Sequence, residues 1–345
     1  MKKASNLDGE SSEEQSKNLP ATTQNPAFAA AEMIVCGNCA RANPPNRFDC
    51  LYCGAALEIS EAQSQSLRPH SSRKLQVWEK GFNVILSNVS EDFGAIDFET
   101  IAALLKLETE IVRLIIAAKT PLPLAHVETE SAAAIVQKRL RLLNLETKIV
   151  ADEDLKTESA PRRLRGIEFY EDKLVLIFFN GDEILEIIWE DLILIVTGAI
   201  FERRVAGVES RGKRGGEMKL LETNETSSDE ILFDIYSRAD EIGYRVEQNG
   251  FDFSSCLAGA DKSLLARENI RRLVEILTKR APKLKLEEDY ARVRAQLANV
   301  WAVDERSDAQ GLKRGQFGKF SRENITIVSN AAQFTKYSRL QRFLI

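Results

Sequence analysis

The sequence predicts a multidomain α+β protein: a zinc finger or ribbon, then a small α/β domain (strand-helix-helix-helix-strand), then an antiparallel β-barrel with a C-terminal helix. Three observations predict it. Cys36, Cys39, Cys50 and Cys53 fall within CGNCARANPPNRFDCLYC. Between about 79 and 155 the apolar period changes from 2 to 3.6 and back to 2. From about 163 to 282, short apolar runs are broken by turn-forming clusters and end in one amphipathic helix.

Composition sets the outer bounds. A chain of 345 residues has room for two or three domains. Hydrophobic content of 44% and charge of 29% are ordinary for globular protein. A net charge of -5 does not describe a chain built as a whole to seek nucleic acid. No apolar run reaches the roughly 18 to 20 residues that a membrane-spanning helix needs. The start, MKKASNLDGESSEEQSKNLPATTQNP, lacks an apolar stretch, so no secretory signal is expected. Four of the five cysteines have metal spacing, so a disulfide scaffold is not expected and a cytoplasmic location is. Cys256 stands alone and reads as a small buried hydrophobe.

Residues 1–32 are polar and aperiodic and are expected to form a disordered tail. The cysteine cluster occupies 33–58, and 59–78 reads as a polar linker. In the domain at 79–155, FNVILSNV alternates as a strand should. Asp97 is placed to cap a helix over FETIAALLKL, and Thr109 to cap one through EIVRLIIAAK, stopped by Pro121 and Pro123. Glu128, Thr129 and Glu130 open a third helix over SAAAIVQKRLRLLN, and LETKIVAD closes the unit as a strand. A polar hinge ends at Pro161.

The segment 163–282 carries strands separated by YEDK, NGDE and WED, with Asn180-Gly181 as a hairpin turn signal. The loop VESRGKRGGE should be exposed. A helix over KSLLARENIRRLVEILTKRAP ends at Pro282. Residues 283–345 read as a helical and basic extension: a helix over LKLEEDYARVRAQLANVWAV, a polar loop over DERSDAQGLKRGQFGKFSREN, and a basic end. From 305 onward there are eight basic residues against three acidic ones.

The cysteine cluster alone has the pattern of a chemical site. Its C-x2-C-x10-C-x2-C spacing lets each pair turn two sulfurs toward one ion, at about 2.3 Å for Zn²⁺. One structural Zn²⁺ held by Cys36, Cys39, Cys50 and Cys53 is therefore expected, with iron as the alternative. Four protein ligands leave no position for a reactive water, which argues against zinc catalysis. Arg41, Asn43, Arg47 and Tyr52 are candidates for a contact surface on the finger. Arg211, Lys213 and Arg214 are candidates for contacting an anion, although their segment lacks the order of a phosphate loop. His70 falls in the linker and His126 in a loop between helices, and neither belongs to a catalytic pattern.

The cluster's finer spacing, C-x2-C-x3-N-x6-C-x2-C with Asn43 inside it, resembles the Ran-binding protein 2 type zinc finger. In RNA-binding members a Trp two residues before the first Cys stacks on bases; Ile34 stands there in this chain. Ubiquitin-binding members carry Thr-Phe after the second Cys; here Ala40-Arg41 follow. The CGAAL ending at Cys53–Leu57 resembles short bacterial zinc ribbons. FNVIL, PLPLAHV, ETESAAAIVQKRLRLLN and LETKIV together resemble the C-terminal domain of the bacterial ribosomal stalk protein over about 70 residues. That family recruits translation factors through a basic helix, whereas the matching region here reads LKLETEIVR. The strands and closing helix of 163–282 are similar in architecture to a pleckstrin-homology-like barrel.

These readings converge on a non-enzymatic zinc-binding adaptor whose partner is a protein. RNA is the second candidate partner, as for a ribosome- or RNA-associated translation factor. An enzyme with no site visible in the sequence is the third reading, and a small-molecule substrate is not expected.

Overall fold

The computed structural model describes residues 33–44, 50–55, 57, 74–89, 97–179, 183–211, 219–257, 259, 262–316 and 319–345. They belong to two compact units, Met1–Leu67 and Arg68–Ile345. The expected tail and most of the expected linker lie outside the described residues, as do His70 and the Asn180-Gly181 turn. Among the described residues no helix is long and apolar enough to cross a membrane.

The first unit is a pair of cysteine knuckles. Strands β1 (Ile34–Val35) and β2 (Ala42–Asn43) pair antiparallel around the first, with Ile34 opposite Asn43. Among the described residues, the buried apolar core of this unit is Ile34, Cys36, Cys50 and Leu57.

The second unit begins before the expected end of the linker. Leu75 is buried, and Lys74 donates to the Ala298 carbonyl. Strand β3 (Phe82–Val89) is followed by α1 (Phe98–Leu105) and α2 (Thr109–Ala117). The Asp97 side chain accepts from the Thr100 amide at 3.0 Å and caps α1. At α2 the capping position is Glu108 rather than Thr109, and no side chain caps it.

A strand, β4 (Pro123–Val127), then precedes α3 (Glu130–Leu142) and β5 (Leu145–Ala151). The order is strand-helix-helix-strand-helix-strand, with the sheet ordered β4-β3-β5. The prolines hid β4 in the sequence. Its proline is the first residue of an edge strand, where no ladder N–H is missed. Thr129 caps α3 by accepting from the Ala132 amide.

The remaining chain builds one large sheet. Its strands are β6 (Arg162–Phe169), β7 (Lys173–Phe178), β8 (Ile184–Ile188), β9 (Leu192–Arg211), β10 (Lys219–Ser237) and β11 (Tyr244–Glu247). Helix α4 (Ala266–Arg280), β12 (Lys285–Glu287) and α5 (Tyr290–Val300) follow. Strands β13 (Asp304–Gln316) and β14 (Lys319–Ser329) and helix α6 (Ala331–Phe343) complete it. The strand order is β13-β14-β9-β10-β11-β6-β7-β8, with β12 alongside β9. Among the described residues this path is open, since β8 pairs only with β7. The stretch expected as a polar loop from 304 onward is the β13–β14 hairpin, with Asp304 opposite Ser329. The expected exposed loop at 208–217 begins inside β9, which runs to Arg211.

Two apolar cores flank this sheet. In β9, Leu194 and Val196 enter one core while Ile195 enters the other. In β10, Leu232 and Tyr236 face the first and Phe233 and Ile235 the second. Successive strand side chains point to opposite faces, so a run such as LILIV marks a sheet buried on both sides. The second core is closed by α4 through Ile270, Leu273, Val274 and Leu277. The first core joins β3 to β5 and α1 to α3 with Tyr290, Trp301, Phe334 and Leu340. Residues 79–155 therefore share a core with the C-terminal helices, and the hinge before Pro161 separates no cores. Helix α6 lies close on β9 because Gly198 has no side chain; a Cβ there would come within 2.4 Å of the Phe334 ring.

Candidate functional site

The two knuckles repeat one hydrogen-bond pattern. The Ala40 amide donates to the Cys36 carbonyl at 2.8 Å, and the Gly54 amide to that of Cys50 at 3.0 Å. The Cys36 amide donates to Arg41 and the Cys50 amide to Ala55. Ala40 and Gly54 both take left-handed backbone, φ 55° and 71°, which turns each chain back past its cysteine pair.

The four Sγ atoms lie within 4.8 Å of one another. Cys36 and Cys53 are 3.7 Å apart, and Cys39 and Cys50 are 3.4 Å apart. A tetrahedral ion with sulfurs at about 2.3 Å requires about 3.8 Å between them. Four cysteines thus lie close enough to hold one metal ion, and the donor set is compatible with one zinc.

The surroundings favour ionised sulfur at Cys50 and Cys53 and oppose it at Cys39. Burial raises the Cys50 thiol, but the amides of Tyr52 and Cys53, together with Cys39 and Asn43, outweigh it and lower it to about 6. The Arg41 amide lowers Cys39, yet burial and its three sulfur neighbours push it up to about 12. Four crowded thiols resist carrying four charges together, and a cation at their centre relieves that repulsion.

Asn43 is fully buried. It does not belong to the exposed contact surface expected from the sequence. Its Nδ2 donates to the Arg41 carbonyl at 2.8 Å and to Cys50 Sγ at 3.4 Å, and its Oδ1 accepts from the Leu51 amide at 2.8 Å. The side chain ties the first knuckle to the second and orients a ligand sulfur. Arg41 and Tyr52 are exposed, with the guanidinium 4.7 Å above the ring centre. Val35 (62% exposed) and Leu51 (50%) add apolar surface. Arg47, Lys213, Arg214 and the Arg211 side chain lie outside the described residues.

The basic C-terminal end turns inward. Arg339 is buried and donates to the carbonyls of Lys156, Ser159 and Glu241. Arg342 donates to those of Asp240 and Arg238. Cys256 is half-buried, and burial pushes its thiol up to about 12.

A second constellation escaped the sequence reading. His126 lies on β4, not in a loop, and its Nε2 is 2.7 Å from Asp152 Oδ2. Asp152 accepts in addition from the Gly81 amide at 2.9 Å, Asn83 Nδ2 at 2.7 Å and Lys336 Nζ at 2.6 Å. Trp301 Nε1 donates to Asn83 Oδ1 at 2.8 Å, and Lys336 Nζ sits 5.1 Å above the Trp301 ring centre. Burial raises the Asp152 carboxyl, but His126 and Lys336 overcome this and hold it well below the usual range. Burial lowers both the His126 imidazole and the Lys336 ammonium. No spacing rule links these residues; the only sequence hint is a His in an apolar strand. No family model, curated protein or solved structure matches this chain.

Proposed function

We propose that the protein is a non-enzymatic, zinc-binding adaptor that engages a protein partner through its metal-held knuckles. The carrying observation is the closed set of four converging sulfurs, which occupies every position of a tetrahedral ion and leaves none for substrate. The exposed side chains Val35, Leu51 and Tyr52, with Arg41 against the Tyr52 ring, supply the contact surface. Aromatic and arginine anchors of this kind dominate protein interfaces. Thiolate ligation suits a reducing compartment such as the cytoplasm. The resemblances of 79–155 to the stalk-protein domain and of 163–282 to a pleckstrin-homology-like barrel belong to the same reading, as a body that presents the knuckles.

Two measurements test it together. Metal analysis of the full chain should return one zinc, released when the cysteines are titrated with a mercurial. Partner capture should be lost in L51S/Y52A while zinc is retained. Full capture by that double variant would move the interface off the knuckles. A zinc content of zero with intact thiols would remove the metal from the proposal.

A further inference from the structure

Leu75, Trp78, His126, Lys336 and Arg245 line a cavity of about 520 Å³ in the second unit. Its size falls in the range of small-molecule sites. Apolar side chains supply part of its wall: Leu75, Val77, Pro161 and Trp301, with Ala302, Ala331 and Ala332 leaving room beside α6. Trp78 stands in the lining with 76% of its surface exposed. A tryptophan so placed leaves a large apolar face in water that an occupant would cover.

The polar groups of the cavity are unevenly matched. Asp152 has four lone-pair positions and four donors: the Gly81 amide, Asn83, His126 and Lys336. It has nothing left to offer a ligand. Lys80, also in the lining, is engaged by Glu158 at 2.7 Å.

Donors, by contrast, are left over. Lys336 Nζ touches Asp152 at 2.6 Å and His126 Nε2 at 3.2 Å. Whichever tautomer His126 takes, at least one of the three Lys336 N–H groups has no acceptor among the described residues. Arg245 commits Nε and Nη2 to Asp234 at 2.7 and 2.9 Å, and Nη2 to Thr335 as well. Its Nη1 is the guanidinium nitrogen with no partner among the described residues, although the side chain is only 8% exposed. A ligand rich in acceptors would take up these donors in place of water.

Charge narrows the class further. Lys336 is already paired with Asp152 and Arg245 with Asp234. The lining sets Lys80, Arg245 and Lys336 against Glu79, Asp152 and Glu158, so a dianion would find no net positive charge to meet it, whereas a monoanion needs only the two unspent donors. We propose that this cavity binds a small organic monocarboxylate with an apolar body, its oxygens on Lys336 and Arg245 and its body against Trp78 and Trp301. The site is separate from the metal knuckles and independent of the adaptor reading.

The zinc-loaded full chain is titrated with phenylacetate and hexanoate, followed by tryptophan fluorescence and thermal shift. Phenylacetamide, 2-phenylethylammonium and phenyl phosphate are the matched probes. We expect saturable binding of at least one carboxylate, at least about tenfold tighter than the amide or the ammonium, as charge-assisted hydrogen bonds require. K336M should weaken it about tenfold or more, and W78A severalfold. Equal affinity for the amide, or tighter binding of the ammonium or the phosphate, would overturn the assignment. So would the absence of a saturable response to either carboxylate up to about 10 mM. Should K336M fail to fold, W78A decides, because its side chain is exposed: unchanged affinity there refutes the placement.

Discussion

Residues 33–57 enclose Ile34, Cys36, Cys50 and Leu57, two of which are candidate metal ligands. Residues 68–345 enclose two extended apolar clusters separated by a sheet whose central strands feed both. The described core of the first unit is too small to offset its chain entropy, and a bound ion would supply the missing folding energy. The second takes its stability from burial on both faces of β9 and β10. The difference teaches where each unit is vulnerable: one at four sulfurs, the other wherever a buried charge loses its partner.

The largest effect should come from removing the metal. Chelation, or Cys50→Ser, should unfold residues 33–57 outright, since structural zinc contributes on the order of 10 kcal/mol or more to such small units. Amide resonances of 33–57 should collapse toward random-coil positions, while the melting transition of 68–345 stays in place. A simultaneous loss of that transition would break the contrast between the two units.

Next in size is Asp152→Ala, which strands the Lys336 ammonium and His126 in a buried setting. Breaking a buried ion pair from one side costs about 3–5 kcal/mol. Because β3 to β5 share a core with α5 and α6, the loss should lower one cooperative transition for the whole of 68–345. Calorimetry that instead resolved an early melt of 79–155 would show that this segment folds on its own.

What the sequence made legible follows the distance over which contacts are made. The knuckles were legible because all four sulfurs fall in one short stretch with a fixed spacing. Helices α1 and α3 were legible because capping residues and the 3.6 period are local signals, and α4 because of its period and the stop at Pro282. The cavity was not, because its contacts join distant chain segments. Trp301 and Asn83 are 218 positions apart, and Lys336 and His126 are 210 apart. Asn43 misled for a different reason. A polar residue between two knuckles reads as surface, yet three hydrogen bonds make it an interior strut. The basic character of the C-terminal end was legible but the partners of its bases were not: in the fold Lys336 and Arg339 bond to interior groups.

Asn43→Ala sits third. It orphans the Leu51 amide and frees Cys50 Sγ from its donor. Loss of such an outer partner lowers metal affinity about 10- to 100-fold, measurable by competition with a chromophoric chelator. Unchanged affinity would reduce Asn43 to a spacer.

The acid response should then separate the units by pH. Burial holds the His126 imidazole below its ordinary 6.5, where it faces Lys336, Asp152 and Glu79. The unfolded chain therefore binds the proton first as pH falls, and stability present above about 6.5 is lost progressively below it. The slope cannot exceed about 1.4 kcal/mol per pH unit for one proton. Asp152 adds a second loss below its ordinary 3.8, because its folded carboxyl is held lower. Denaturant melts of wild type and His126→Gln between pH 7 and pH 5 isolate the first term. The variant should show the shallower dependence, and parallel curves would remove His126 from the acid response.

The smallest effect tests the likeness of the two knuckles to each other. Ala40 and Gly54 hold equivalent turns, both with positive φ, yet only one is a glycine. Left-handed backbone costs an L-residue about 1–2 kcal/mol, while glycine gives back roughly 0.5–1 kcal/mol in unfolded-chain entropy. Ala40→Gly should therefore strengthen the first knuckle by less than about 1 kcal/mol, and Gly54→Ala should weaken the second by a similar amount. Space is not the obstacle at Gly54, where a Cβ would meet nothing within 4 Å, so the penalty there is conformational alone. Metal competition on the two single variants and the exchange A40G/G54A measures both terms. If the turns are equivalent, the exchanged chain should bind the ion about as tightly as the original, because the gain at one knuckle offsets the loss at the other. An exchange that costs more than either single change would mean that Ala40 contributes something at the first knuckle which the shared hydrogen-bond pattern does not contain.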